Sequence, residues 1–485
     1  MISKILEITI PFVVPAMDLR YNDIRSKKER PLDMKKIRIG SGAGYAGDRI
    51  EPAVELMEKG NLDYIIFECL AERTVAIGQQ DKEKDPSKGY NQLLDYRMEK
   101  ILPLMAKNKV KVITNMGAAN PVSAAERTCE IARKLGVSGL KIACVTGDDI
   151  TDELDKYENE KVLEDGTLLK EKKDVLISAN VYMGAEGITK ALEEGANLVI
   201  TGRVSDPALT IGPLVHEFGW NIDDNPDQMG QAVLAGHLLE CGGQGAGGNY
   251  MYDWRNVPRM DELGFPIAEL TDDTFEITKA PDCGGIICEQ SCKEQFLYEV
   301  HDPANYLTPD VNVDISHATI TQVGDNRVRI GGVKGKPRPD TLKLCVGYHK
   351  GWKTVSMLSF AWPDAYEKAQ YCAEVIMKKM QRRGMKADDI HISYIGLNSL
   401  HLGVADMSEE ALKNLNECVL RIAVFSEDKS ECAKIIPEIS PLQLNGPPGA
   451  SFFGGRARVQ EVMALWPTTV PRDAVQVESH ILEVK

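Results

Sequence analysis

Two glutamates stand close together where a predicted strand ends and a helix begins. The apolar stretch LDYIIFECL (residues 62–70) predicts the strand, and Glu68 and Glu72 lie at or just past its end. Carboxylates this close repel each other, which can raise one pKa into the range of a general acid or base. The alternative is structural, because Glu72 and Arg73 can equally begin the next helix or form a surface salt bridge. Glu72 is therefore one candidate catalytic residue.

A second polar group follows the apolar stretch ANLVITGR (residues 196–203). Arg203 is the candidate anion clamp, because a guanidinium group binds a carboxylate through two parallel hydrogen bonds. Asp206 is a candidate catalytic carboxylate, or else the N-cap of the next helix. Asn115 ends another predicted strand and could orient a substrate carboxylate or carbonyl group, although Asn is also common in turns.

His237 and Glu240 lie three residues apart on a predicted helix, so their side chains share one face. Such a pair could transfer protons, or it could supply two ligands to a divalent metal ion. The alternative is a buried histidine whose hydrogen bonding is satisfied by the neighbouring glutamate. No cofactor follows from the sequence, and a divalent metal stays open.

The loop SGAGYAGD (residues 41–48) follows the first predicted strand and precedes a helix. Glycines such as Gly42 and Gly44 let the backbone approach a ligand closely, and the helix that follows offers unpaired N–H groups. With Asp48, this loop predicts a site for a small anion or acyl group more than for a nucleotide. A strand-to-helix turn rich in glycine is also a common packing device.

Short apolar runs alternate with amphipathic stretches from residue 36 to about residue 250. Strands are predicted at residues 36–40, 62–70, 110–115, 140–149, 174–180 and 196–203. Continuous β-branched runs separated by helical patterns indicate a parallel sheet covered by helices on both faces. Ligands of such sheets lie beyond the carboxyl ends of the strands, which is where the candidate residues fall.

The pattern changes after the glycine-rich stretch at residues 241–254. Residues 270–360 contain short strands with turn residues between them, which is typical of antiparallel pairing, and residues 363–384 predict an amphipathic helix. We therefore expect an α/β fold class. Residues 1–260 would form an α/β domain whose parallel sheet is flanked by helices, and residues 261–485 a smaller α+β domain with a mixed or antiparallel sheet.

Composition excludes several classes of function. The 485-residue chain has 57 basic and 72 acidic residues and a formal net charge of -15, so binding to a nucleic acid backbone is not expected. No stretch is long and apolar enough to cross a membrane. The apolar residues 8–17 lack the preceding run of basic residues that a signal peptide has, so we expect a cytoplasmic protein whose eleven cysteines are reduced thiols. Three of them (Cys283, Cys288 and Cys292) match no ferredoxin spacing, which disfavours an iron–sulfur cluster.

Several motifs together resemble those of the acyclic terpene utilisation protein A family. They are GSGAGYAGDR (40–49), LAERT (70–74), TNMGAANP (114–121), TGRVSDPAL (201–209), GHLLECGGQGAGG (236–248), EQFLYEVHDPANYLTPDV (294–311) and GPPGASFFGGRARVQEV (446–462). The likeness extends from about residue 36 to residue 472. The family was long described only as a domain of unknown function.

The resemblance implies a site and a context. The site would consist of Gly42, Gly44, Asp48, Glu72, Asn115, Arg203, Asp206, His237, Glu240 and Gln244. Family members lie beside genes for the breakdown of acyl-CoA or branched-chain carboxylates, and they are often accompanied by a small ferredoxin-fold domain. A small ferredoxin-fold subunit is therefore an expected partner, in a homo- or hetero-oligomer.

These residues together favour a lyase, specifically a hydratase/dehydratase. Its substrate would be a short unsaturated or hydroxy carboxylate, such as mesaconate or citramalate, or the corresponding CoA thioester. Such a reaction needs an anion clamp, stabilisation of an enolate-like oxygen and an acid–base pair. Two alternatives stay open: an acyl-CoA hydrolase or transferase with Cys241 or water as nucleophile, and a non-catalytic scaffold for the small partner.

Overall fold

The computed structural model describes residues 35–485, except residues 273 and 402. The first 34 residues of the predicted 1–260 domain, with the apolar residues 8–17, lie outside the described part. The strands are, in chain order, β1 (Ile37–Ala43), β2 (Tyr64–Phe67), β3 (Lys111–Thr114), β4 (Leu140–Thr146), β5 (Leu176–Val181), β6 (Leu198–Thr201), β7 (Pro266–Leu270), β8 (Phe275–Lys279), β9 (Tyr306–Leu307), β10 (Asn312–Asp314), β11 (Thr319–Gly324), β12 (Arg327–Gly331), β13 (Lys334–Lys336), β14 (Thr341–Ala361), β15 (Asp389–Ile395), β16 (Glu417–Ser426), β17 (Ala450–Phe452), β18 (Val459–Pro471) and β19 (Glu478–Val484).

The α-helices include the amphipathic one predicted at residues 363–384, which forms as α9 (Ala365–Arg382). They are α1 (Glu51–Lys59), α2 (Glu72–Lys84), α3 (Leu94–Asn108), α4 (Pro121–Lys134), α5 (Glu186–Glu193), α6 (Ala208–Phe218), α7 (Pro226–Glu240), α8 (Glu289–Leu297), α9 (Ala365–Arg382), α10 (Glu409–Lys413), α11 (Lys429–Ala433), α12 (Ile436–Ile439) and α13 (Leu442–Asn445). A short 3-10 helix, Gly242–Ala246, follows α7.

A large mixed sheet carries the candidate residues. Its order within the described residues is β11-β12-β8-β7-β1-β2-β3-β6-β4-β19. The central strands β1, β2, β3, β6 and β4 are parallel, and antiparallel strands extend the sheet at both ends. The predicted α/β fold class, with a parallel sheet flanked by helices, is therefore confirmed.

Helices cover both faces of this sheet because alternate strand residues point to opposite sides. Ile65 of β2 packs in a buried cluster with residues of α1, α3 and α4, such as Leu102. The next residue, Ile66, packs in another buried cluster with residues of α5, α6 and α7, such as Leu209. The unbroken apolar runs of the sequence follow from this burial on both sides.

Neighbouring strands β3 and β6 send their following helices to opposite faces. Helix α4 follows β3 and packs in the cluster of Ile65, whereas α6 follows β6 and packs in the cluster of Ile66. Such a point opens a crevice beyond the carboxyl ends of the two strands, where α/β proteins bind their ligands. Asn115 comes directly after β3, and Arg203 comes two residues after β6.

The strand predicted at residues 174–180 forms, but its assignment to the parallel sheet is wrong. As β5 it pairs antiparallel with β14, a 21-residue strand of a second sheet. The N-terminal part of β14 also pairs with β18, and its C-terminal part pairs with β16 and β17. An apolar run does not indicate which strand it pairs with, so the local pattern could not show that β5 belongs to a different sheet from the strands before and after it.

Strands from both sides of residue 260, the predicted domain boundary, share the large sheet. β7 pairs with β1, and β19 near the C-terminus pairs with β4. The boundary therefore falls between hydrogen-bonded strands of one sheet and not in a linker. The antiparallel character predicted for residues 270–360 is present in β7, β8, β11, β12 and β14.

Among the described residues, no helix is both long enough and apolar enough to span a membrane.

A charge cluster between β1, β7 and β12 should contribute measurably to stability. The Glu269 side chain is 5 % exposed and pairs with Lys36 at 3.0 Å, with Arg327 at 2.9 Å and with Arg38. Glu269→Gln removes the common anion, so we expect the free energy of unfolding in urea to fall by about 2–3 kcal/mol. Glu83→Gln, on an exposed position of α2, is the matched control. Equal stability of the two variants would contradict this assignment.

Candidate functional site

Glu68 directly follows β2 and is buried. Its Oε1 accepts hydrogen bonds from the backbone N–H of Leu70 at 2.8 Å and from Asn115 Nδ2 at 3.0 Å. Asn115 Oδ1 in turn accepts from the backbone N–H of Cys69 at 2.7 Å. Burial raises the pKa of Glu68 to about 8, and the nearby charge of Asp206 adds to this increase. The predicted carboxylate with a raised pKa is thus Glu68, and Asn115 orients it.

Arg203 lies fully inside the protein after β6, with 1 % of its side chain exposed. Nε donates to the carbonyl oxygen of Val204 at 2.7 Å, and the two terminal nitrogens donate to the carbonyl oxygen of Leu70 and to Asp206. Asp148, after β4, accepts from the backbone N–H of Arg203 at 2.9 Å. Arg203 therefore joins the ends of β2, β4 and β6, and much of its hydrogen bonding is satisfied within the protein.

Asp206 pairs with Arg203 and does not cap a helix. Helix α6 begins at Ala208 and has no side-chain cap, which excludes the structural alternative for Asp206. The Asp206 side chain is 35 % exposed, so this carboxylate is the water-accessible partner of the buried guanidinium group.

Glu72 occupies the first turn of α2, as the structural alternative proposed. It accepts hydrogen bonds from the hydroxyl group of Tyr182 and from Lys343 Nζ, the latter at 2.9 Å. Although burial acts to raise the pKa of Glu72, these two partners outweigh burial and lower it to about 2. Glu72 is consequently an anion at neutral pH. The Tyr182 ring also stacks on the guanidinium group of Arg203 at 4.3 Å, which places Glu72 beside the site.

His237 and Glu240 form the predicted pair near the end of α7. Their Nδ1 and Oε1 atoms are 2.9 Å apart, and both side chains are buried. Burial raises the pKa of Glu240 to about 7. Burial lowers the pKa of His237, but the charge and hydrogen bond of Glu240 outweigh it and raise that pKa. Both groups therefore hold a proton to higher pH than they would in water.

The outer atoms of this pair have no hydrogen-bond partner among the described residues. These atoms are His237 Nε2 and Glu240 Oε2, and the Ser205 hydroxyl group is in the same situation. The charge of Asp206 also acts to raise the pKa of Glu240, so the pair lies near Asp206 and its ion-pair partner, Arg203. The Tyr306 ring packs edge-on to the His237 ring at 5.5 Å.

The glycine loop packs against its neighbours. A Cβ atom on Gly42 would lie 2.7 Å from the Phe67 ring, and one on Gly44 would lie 2.3 Å from the backbone carbon of Cys241. Asp48 Oδ2 accepts from the backbone N–H of Gly44 at 2.8 Å and so holds the turn. Gly42 thus packs against the last residue of β2, whereas Gly44, in the turn that Asp48 holds, packs against the end of α7.

Gln244 lines a cavity of about 300 Å³ beside the same helix end, together with Gln295 and Tyr298 of the segment around α8. Gln295 Nε2 donates to the carbonyl oxygen of His237 at 3.0 Å. Its Oε1 is buried and has no hydrogen-bond partner among the described residues. The cavity therefore adjoins the backbone of the His237–Glu240 pair.

The structure thus brings together Glu68, Asn115, Arg203, Asp206, His237 and Glu240, with Glu72 at the border. Three residues were missed: Tyr182, Tyr306 and Lys343. Tyr306 lies inside the motif at 294–311, which could have indicated it. Lys343 had no local signal, because it reaches the site only through the pairing of β14 with β5. Within the described residues, no group of three or more His, Cys, Asp or Glu side chains has the arrangement of a metal site.

Glu68→Gln should change how stability depends on pH. The folded chain holds the Glu68 proton more tightly than the unfolded chain, in which this carboxyl group titrates at the ordinary glutamate value of 4.5. As pH rises from 4.5 towards 8, the unfolded chain ionises first, and wild-type stability falls. Gln keeps the Oε1 acceptor and does not ionise. The free energy of unfolding in urea of the variant, relative to that of the wild type, should therefore increase as pH rises from 4.5 to 8.

The control for this measurement is Glu72→Gln. Because the pKa of Glu72 is lowered, its ionised form contributes stability above the unfolded pKa of 4.5, and this contribution is lost as pH falls towards 2. Glu72→Gln should therefore destabilise the protein at neutral pH. A Glu68→Gln difference that does not vary with pH would show that Glu68 titrates normally.

Gly44→Ala should disrupt the junction between β1 and α7. The added methyl group would meet backbone atoms of Cys241, which cannot move like a flexible side chain. We expect a loss of about 2–3 kcal/mol of unfolding free energy, measured in urea. Gly47→Ala is the comparison, because its Cβ would meet only the Tyr45 ring, at 3.2 Å. Equal stability of the two variants would show that the loop can accommodate a methyl group at Gly44, which would contradict this prediction.

Comparison with known proteins agrees with this arrangement of motifs. The family model described as acyclic terpene utilisation family protein AtuA matches residues 37–481 of the 485-residue chain. Comparisons with curated proteins and with solved structures gave no match. Because the matched region covers nearly the whole chain and includes every residue of the candidate site, the protein belongs to the acyclic terpene utilisation AtuA family.

Proposed function

We propose that the protein is a hydro-lyase, which adds water to, or removes it from, a short carboxylate or its CoA thioester. The observation that carries the proposal is the buried His237–Glu240 pair, whose outer atoms lack partners beside the Arg203 group. Leaving buried polar atoms unpaired costs about 1–3 kcal/mol each. A ligand that completes their hydrogen bonding would account for such a pair near the end of α7.

Two groups have the protonation properties that the reaction requires. Burial raises the pKa of Glu240 to about 7, so its carboxylate form is available near neutral pH to remove a proton. Glu68, with a pKa raised to about 8, remains protonated and can donate. Both hydrogen bonds that Glu68 accepts go to Oε1, which leaves Oε2 to carry the proton.

The proposed dehydration balances with these two groups. Glu240 takes the proton from the carbon next to the carboxyl or thioester group, and negative charge develops on the substrate carbonyl oxygen. Glu68 gives its proton to the hydroxyl group on the adjacent carbon, which leaves as water while the double bond forms. His237 holds Glu240 in position, and the charge of Arg203 favours the enolate-like oxygen. Hydration is the reverse sequence.

The proposed substrate is a short acid. The cavity lined by Gln244 and Gln295 measures about 300 Å³, at the lower end of the range of about 300–1,000 Å³ for small-molecule pockets, and Gln295 donates a hydrogen bond to the backbone oxygen of His237. Unsaturated or hydroxy acids such as mesaconate and citramalate are of this class. Glu72, held as an anion by Tyr182 and Lys343, positions Tyr182 and does not transfer protons.

Glu240→Gln should slow turnover strongly while the protein remains folded. With a panel of short 2-enoic acids and their CoA thioesters, hydration is followed by loss of the absorbance of the conjugated double bond. We expect kcat to fall by about 100-fold or more in Glu240→Gln and in Glu68→Gln, since general acid–base groups contribute about 10²–10⁴-fold. Exchange of the substrate α-hydrogen in deuterium oxide should fall with Glu240→Gln, because Glu240 removes that hydrogen.

Glu83→Gln serves as the surface control and should retain wild-type kcat. Cys241→Ala separates the thioester-hydrolase alternative: burial raises the pKa of the Cys241 thiol to about 12, which disfavours a thiolate nucleophile. We therefore expect turnover to survive in Cys241→Ala. Undiminished hydration by both Glu240→Gln and Glu68→Gln would refute the proposal, and inactivation by Cys241→Ala alone would favour the alternative.

A further inference from the structure

The long strand β14 has a gap in its pairing far from the candidate site. Along one edge, β18 pairs with residues 341–354 of β14 and β17 pairs with residues 358–360. Within the described part of the chain, residues 355–357 therefore face no strand on that edge, although β16 pairs with them on the other. Residues 453–458, here called the bulge, connect β17 to β18 at this point.

A cavity of about 540 Å³ occupies the gap, between the bulge and α12. Its apolar lining includes Met357, Ile436, Pro437, Ile439 and Phe452. This volume is within the range of about 300–1,000 Å³ that holds small organic ligands. The lining favours a ligand with an aliphatic body.

Two polar groups in the lining lack partners. Ser356 is 4 % exposed, and its buried Oγ makes no hydrogen bond to any described residue. Arg456, an exposed residue, also lines the cavity and forms neither an ion pair nor a hydrogen bond within the described part of the chain. The acidic residue of α12, Glu438, is already paired with Lys379, at 3.0 Å, and with Arg383. An unpaired positive charge and an unbonded hydroxyl group therefore lie beside apolar surface.

We propose that this cavity binds an aliphatic monocarboxylate. The carboxylate would pair with Arg456, which can bind it through two parallel hydrogen bonds, and would accept a third from Ser356. The chain of the acid would lie against Met357, Ile439 and Phe452. This site is separate from the candidate catalytic site, and neither proposal depends on the other.

Isothermal titration calorimetry of the full chain with octanoate tests the proposal. We expect saturable binding, with weaker binding of butyrate because less apolar surface is buried, and no binding of octylamine because its charge is reversed. Arg456→Glu should weaken octanoate binding about tenfold or more, since it places like charges together. Arg458→Glu is the matched control, two residues along the same exposed bulge and outside the cavity lining, and should bind octanoate as the wild type does.

Ser356→Ala should weaken octanoate binding by about five- to tenfold, which corresponds to one hydrogen bond. Circular dichroism checks that each variant is folded. Absence of saturable octanoate binding would overturn the proposal, as would equal effects of Arg456→Glu and Arg458→Glu. Binding that is lost in Glu240→Gln but kept in Arg456→Glu would place octanoate at the candidate catalytic site and would likewise overturn it. Hydration kinetics of Arg456→Glu should equal those of the wild type in either case.

Discussion

A guanidinium group that is closed off from water must have its charge balanced and its N–H groups bonded, because an isolated buried charge is far too costly. Arg203 meets this requirement by reaching the carbonyl oxygen of Leu70 after β2, and Asp206 in its own loop, while Tyr182 from the second sheet covers its face. Asp148 after β4 holds its backbone. Loops of three strands and part of another sheet are thus arranged around one cation.

The carboxylates around this cation exceed what it can neutralise. Asp206 pairs with it directly, so Glu68 and Glu240 experience burial and the repulsion of Asp206 without a full counter-charge. Groups in this situation hold their protons to higher pH, and their titrations depend on one another. Burial is thus the main cause of the raised pKa values of Glu68 and Glu240, and the charge of Asp206 adds to both. Glu72 differs because it has its own cation, Lys343, and its pKa moves down.

The local sequence pattern predicts the central parallel sheet and most residues of the site. It fails where the position of a strand or side chain depends on pairing with a strand far away in the sequence. The strand ends at Asn115 and Arg203 follow from apolar runs that stop at polar residues. β5 has the same kind of run, yet it joins β14, whose residues lie more than 150 positions further along the chain. The same pairing brings Lys343 to Glu72, which explains why neither Lys343 nor the low pKa of Glu72 could be predicted. Gly44 is ambiguous in sequence, since close approach to a ligand and close packing on Cys241 both require a missing side chain.

Whether a buried polar side chain has all its hydrogen-bond partners within the protein is a better guide to a structural or a ligand-binding role than its residue type. Asn115 uses both ends of its amide on Cys69 and Glu68, so it has a complete structural role. His237 and Glu240 satisfy each other through one atom apiece and leave Nε2 and Oε2 unbonded in a buried setting. A purely structural pair would lose nothing if replaced by apolar residues of similar volume, which avoids the cost of desolvation. The proposed ligand would complete the hydrogen bonding of Nε2 and Oε2, whereas packing alone leaves both atoms unbonded.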